Sequence, residues 1–196
     1  MNPKFTMQSN KNKVRGATII EVIVSVFLLT FGILALIAAQ IRSVASVQEA
    51  ENRTLIAQAA EAYAEGMLAN PTVVINDNRE LIITYDHYRT DPKDVDANKT
   101  EFTQLGNNAQ KTKKELADLQ TDNFQAALNA IPDVAGIQFT VCQDVDDARK
   151  PAWGDGHCNK GATDGTVIKV AWRMKDKDGK TDTDAALHTY VLKVKS

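Results

Sequence analysis

Glu21 is the residue in this chain whose position most needs a chemical reason. It stands at the head of Val22–Ile41, twenty consecutive residues without a charge, sixteen of them apolar. An ionisable side chain at the centre of a bilayer costs about 2.5–3.5 kcal/mol, and less near an interface, so a carboxylate there implies a partner or a task. Five residues before it lies Gly16, preceded by Arg15. A second chemistry is available to Cys142 and Cys158, the only cysteines. They can form a disulfide or, with His157, part of a metal site, but the further ligands of a tetrahedral zinc site are not at hand. Asp176, Asp178, Asp182 and Asp184 miss the spacing of an EF-hand loop and read as a charged hairpin tip. His87, His157 and His188 are scattered and pair with no nucleophile in the local sequence. No glycine-rich phosphate loop is present. Lys111, Lys113 and Lys114 form a small basic cluster without interleaved aromatics, so nucleic acid is not an expected partner. The expectation is a protein without catalytic residues, cofactor or metal.

The elements that must position Glu21 follow from how charge and hydrophobicity are distributed. Across 196 residues the chain is 43% hydrophobic and 24% charged with a net charge of −2, values of an ordinary soluble domain that exclude a collagen-like, disulfide-dense or polytopic membrane protein. The average hides a division. Residues 1–16 hold Lys4, Lys11, Lys13 and Arg15 and no acid, which leaves about −6 on the remainder. Four cations before an apolar run place that end in the cytoplasm, with everything beyond Arg42 translocated. Twenty apolar residues suffice to span a hydrocarbon core of about 30 Å. The run is longer than the 7–15 residues usual for a secretory h-region.

The helix is expected to continue beyond the membrane. No proline occurs between residues 4 and 70, and Ile41, Val44, Val47, Leu55, Ala59, Ala62 or Tyr63, and Met67 recur at threes and fours. Asn70-Pro71 ends it, because proline disfavours helix in the residue before it. Ala17 to Ala69 would make a helix roughly 80 Å long, apolar all round in its first half and amphipathic in its second. Gly32 is a candidate soft point.

Beyond Pro71 the pattern is mixed. Leu81–Tyr85 reads as a short strand, residues 90–109 as a polar connecting loop, and Leu116, Leu119, Phe124, Ala127, Leu128 and Ile131 as one face of a helix. Three alternating strands follow around Ile137–Val141, Ile168–Met174 and Leu187–Val194, with Asp178-Gly179 as a hairpin signal between the last two. The fold class is α+β, with a long N-terminal helix packed on a small antiparallel sheet. The division is 1–16 leader, 17–41 transmembrane, 42–70 amphipathic helix and 71–196 head. A translocated head favours a Cys142–Cys158 disulfide, worth about 3 kcal/mol for a loop of this length. The acidic loop it closes, with Trp153, reads equally as a partner surface or as a solvated loop whose tryptophan covers the sheet.

Arg15-Gly16-Ala17-Thr18-Ile19-Ile20-Glu21-Val22, with its basic leader and the apolar run after it, resembles the class III signal of type IV prepilins. That resemblance implies cleavage after Gly16 by a prepilin peptidase, Ala17 as the methylated first residue of the mature chain, and Glu21 as the fifth residue, used in filament docking. The family usually has Phe where this chain has Ala17. Leu29–Leu36, Gln40–Glu51 and Glu65–Pro71 narrow the resemblance to the PilV/PilI group of minor pilins, strongly over residues 14–71 and thinly beyond. It implies a pilin-like fold and a low-abundance subunit that primes or modulates pilus assembly in a tip complex. The implied partners are other minor pilins, the major pilin, the prepilin peptidase and the inner-membrane assembly platform. The implied location is a single inner-membrane pass with a periplasmic head, then the extracellular pilus. Two readings stay open beside it, a minor pseudopilin of a type II secretion system and a single-pass periplasmic enzyme or binding protein. On the pilin reading, Glu21→Ala leaves membrane insertion intact and lowers recovery in the sheared filament fraction; normal incorporation of the variant contradicts it.

Overall fold

Nothing in residues 19–69 obliges a helix to stop, since Gly32 and Gly66 are the only glycines and proline is absent. In the computed structural model, which describes residues 19–75, 77–106, 110–144, 149–158, 165–175 and 186–194, α1 runs from Ile19 to Ala69 and passes through Gly32 unbroken. The chain divides into two units, residues 1–46 and 47–196. The described part of the first is helix alone. Its large apolar side chains are exposed on every side, and it is long and apolar enough to cross a membrane.

The second unit opens with the amphipathic part of α1. Its buried face is Asn52, Ile56, Ala60, Tyr63 and Met67, which includes the expected Tyr63 and Met67; the expected Leu55 and Ala59 are partly buried against the same core, while Ile41, Val44 and Val47 are exposed. The residue on this face that hydropathy does not place there is Asn52. Its amide donates to the Pro132 carbonyl at 3.2 Å and to Met174 Sδ at 3.4 Å, so a polar residue occupies the core face at no cost in unmet hydrogen bonds. Asn70 ends the helix as expected, its amide donating to Tyr88 Oη at 2.9 Å and to the Lys113 carbonyl at 2.8 Å.

A two-stranded antiparallel hairpin follows, β1 (Thr72–Ile75) and β2 (Leu81–Thr84). After a 3₁₀ turn over Asp86–Tyr88 come β3 (Thr90–Asp94), α2 (Lys113–Asn129), β4 (Val134–Gln143), β5 (Thr166–Met174) and β6 (His188–Lys193). These last four strands form one antiparallel sheet in the order β3-β4-β5-β6. One expectation is corrected here and one extended. The polar segment 90–109 contains β3, whose Pro92 is tolerated because an edge strand need not donate on its outer side. The Leu81 strand has a partner, β1, too short to register as a pattern. Asp178-Gly179 lies outside the described residues, but the strands on either side of it pair antiparallel as a hairpin there requires.

α2 begins on a capping box. The Thr112 hydroxyl accepts from the Glu115 N–H at 3.2 Å, and the Thr112 N–H donates to Glu115 Oε2 at 2.7 Å. That backbone bond holds the Glu115 carboxyl below the usual carboxylate range. Lys114 pairs with Asp118 at 2.7 Å and Lys113 donates to the Pro71 carbonyl, so two of the three clustered lysines have structural partners. Across the core, Tyr63 stacks on Phe124 at 4.5 Å, and Phe124 meets Phe139 edge-on at 5.3 Å. Tyr63 Oη shares a 2.7 Å hydrogen bond with Thr121 Oγ1; burial pushes its phenol up against that bond's opposing effect. One aromatic column thus joins α1, α2 and the sheet. Phe124→Ala should cost about 3–5 kcal/mol, read from the denaturation midpoint of the full chain in detergent. Leu68→Ala, on the exposed side of α1, should change it by about 0.5 kcal/mol or less.

Candidate functional site

Glu21 lies in the first turn of α1, where the helix dipole favours an anion. Its side chain is exposed, and among the described residues none is placed against its carboxylate. The neighbouring hydroxyls are already used. Ser25 Oγ donates to the Glu21 carbonyl at 2.7 Å and Thr30 Oγ1 to the Phe27 carbonyl at 2.8 Å, so neither brings an unmet donor into the apolar run. From Ile19 to Ile41 the helix therefore presents a continuous apolar surface with one ionisable group near its start. Gly16 and Ala17 lie outside the described residues.

Cys142, at the end of β4, is bonded to Cys158, with their Cα atoms 6.1 Å apart. Both sulfurs are therefore committed to each other and not to a ligand set with His157. Among the described residues no group of His, Cys, Asp and Glu is arranged to hold a metal ion. The loop they close is tied to the sheet by Lys169 of β5, whose side chain is fully buried. Its ammonium donates to Asp144 Oδ2, to the Arg149 carbonyl at 2.9 Å and to the His157 carbonyl at 3.1 Å. Three donors meet three acceptors, one of them a fully buried carboxylate, which satisfies a cation that the interior could not otherwise hold. The loop does not read as a solvated acidic surface at Asp144. The clue in the sequence was Lys169 itself, alone within the apolar run Val167–Trp172; such a run marks a strand buried on both faces.

Trp153 lies over the sheet, its ring 4.7 Å from the Arg173 guanidinium and in the space a side chain at Gly136 would need. Of its two readings, the covering role matches. Gly156 has no room for a Cβ, which would stand 2.6 Å from Thr140 Cγ2. Between this loop and β3–β4 lies a cleft of about 510 Å³, lined by Arg89, Asp91, Gln143, Asp155 and Gly156 among others. Arg89 is held there by Gln143 Oε1 and by Asp86 at 3.3 Å. The cleft carries charges of both signs and suits recognition of polar groups. A smaller apolar groove of about 230 Å³ lies between α1 and α2 over Ala59, Gly66 and Phe124, beside the exposed Phe102. The third surface is the β1–β2 hairpin, where Val73, Ile75, Leu81 and Ile83 are all about half or more exposed. Hairpin and cleft were not legible beforehand, because each needs strands that are distant or very short in sequence.

The Lys169 arrangement makes a sharp demand. Lys169→Met leaves Asp144 buried without its cation and should cost about 3–5 kcal/mol, measured by chemical denaturation. Lys169→Met with Asp144→Leu should recover much of that loss. A single variant as stable as the parent would refute the buried pair.

A scan against protein-family models finds no match for this chain, and neither the curated proteins nor the solved structures contain a significant one.

Proposed function

We propose that this chain is a minor subunit of a type IV pilus, cut after Gly16 by a prepilin peptidase, methylated at Ala17 and docked into the filament through Glu21. The observation that carries the reading is α1 itself. One helix of 51 residues has a single ionisable group among its first 23, an apolar surface exposed on all sides there, and a buried face only from Asn52 onward. An anchor alone needs about 20 residues. A helix that runs on into a folded head suits a subunit whose apolar half leaves the bilayer to line a filament core.

The chemistry of docking follows from the charges. After cleavage the Ala17 amino group is a cation, and the Glu21 carboxylate of a neighbouring subunit is its counter-ion. Pairing the two in a low-dielectric bundle offsets the desolvation that either would suffer alone, and fixes axial register because no other ionisable group lies within the apolar segment. The head, translocated by virtue of the basic leader, would meet other minor pilins and the major pilin; the apolar β1–β2 hairpin is the surface best suited to that contact. The same α1 would serve a minor pseudopilin of a secretion system. Mass spectrometry of the mature N-terminus should find Ala17 first, with one added methyl. Co-purification with pilus rather than secretion components should separate the two assemblies. An intact Met1, or a cut near Ala39, overturns the reading.

A further inference from the structure

The sequence holds two Asn-x-Thr tripeptides without proline in the middle, Asn52-Arg53-Thr54 and Asn98-Lys99-Thr100. Asn-x-Ser/Thr is the acceptor pattern for N-linked glycosylation, in which the side-chain amide receives the sugar. The structure separates the two. Asn52 is 2% exposed, and its Nδ2 is spent on Pro132 O and Met174 Sδ against the core. Its threonine is occupied too, donating to the Ala50 carbonyl within α1. Asn98 sits in a turn between β3 and α2, and both Asn98 and Thr100 are exposed.

The turn is built to present Asn98 outward. The Lys99 N–H donates to the Asp96 carbonyl at 3.0 Å, closing the turn. Asn129 of α2 donates to the carbonyls of Asp96 and Lys99 at 2.7 and 2.8 Å, and Lys99 pairs with Asp122 at 2.7 Å. Both flanks are thereby tied to α2, leaving Asn98 and Thr100 accessible. Asp96, two residues before the acceptor, accepts from both the backbone N–H and Nδ2 of Asn98 at 2.9 Å each. It places a carboxylate at a fixed distance from the acceptor, where a basic side chain of a transferase can hold it.

We propose that Asn98 is an N-glycan acceptor and that Asn52 is not. The donor class is an oligosaccharide linked through a diphosphate to a polyisoprenyl lipid. In the transfer the C1–O bond to the diphosphate breaks and a C1–N bond to Asn98 Nδ2 forms. The displaced amide proton passes to a base of the transferase, and the lipid diphosphate leaves. One N–H remains on Nδ2, enough to keep its bond to Asp96. The proposal rests on the translocation of the head included in the functional reading.

The test co-expresses the full-length chain with a bacterial N-oligosaccharyltransferase and a lipid-linked oligosaccharide of known mass, followed by glycopeptide mass spectrometry and thiol labelling. The expected result is one glycan increment on the Asn98 peptide and none on the Asn52 peptide. The increment should vanish in Asn98→Gln and Thr100→Ala and persist in Thr100→Ser. An unmodified Asn98 on a chain whose Cys142 and Cys158 resist labelling until reduced overturns the glycan site while leaving the translocation standing. An unmodified Asn98 on a chain with free thiols overturns both. A glycan on Asn52 instead overturns the assignment by burial.

Discussion

Burial of one face of α1 from Asn52 to Met67 is the contact on which the head depends. Ile56, Ala60, Tyr63 and Met67 form one wall of a core whose other walls are Phe124 and Leu128 of α2 and the inner side chains of β4 and β5. Without that face the apolar side chains of α2 and the sheet that pack on it would be left in water. The aromatic column of Tyr63, Phe124 and Phe139 makes the contact directional as well as apolar, because stacked and edge-on rings fix relative position in a way aliphatic packing does not. The same helix, earlier in the chain, has no such face at all. Its change of character, from apolar all round to apolar on one side, is the physical basis for assigning it two environments.

A second constraint acts at the far side of the sheet. Lys169 brings a positive charge into the run Val167–Trp172, otherwise apolar on both faces, and the loop between Cys142 and Cys158 supplies its counter-charge and two carbonyls. Disulfide and ion pair act on the same segment by different means. The covalent bond limits the unfolded chain, whereas the buried cation specifies where the loop backbone must lie in the folded one. A loop fixed in this manner gives the adjoining cleft a definite wall, the prerequisite for recognising anything.

How much of this was legible depended on the range of the interactions. The long helix, its end at Asn70-Pro71, the α2 region and the three strands from Ile137 onward were all carried by local periodicity and proline placement. β3 was not, because Pro92 and three charged residues conceal a strand that exists only by pairing with β4. The place of Asn52 on the buried face was not, because it turns on a hydrogen bond between Asn52 and Pro132, 80 positions away. Lys169 was not read as a site, because its carboxylate partner and the two carbonyls come from a loop that takes its place only in the folded chain. Glu21 and the Gly16 spacing were the reverse case, conspicuous in the sequence, while their proposed partner lies on another chain.

The sequence by itself determined the division of the molecule: a basic N-terminal segment, an uncharged run opened by one carboxylate, an amphipathic continuation and an acidic α+β head. Those features are properties of neighbouring residues, and hydropathy, charge and proline act over a few positions. Tertiary structure decided that Lys169 is an interior cation rather than a surface one, and that Asn98 is presented to solvent while Asn52 is enclosed. Each of those depends on groups distant along the chain, whose satisfaction or burial no local pattern encodes.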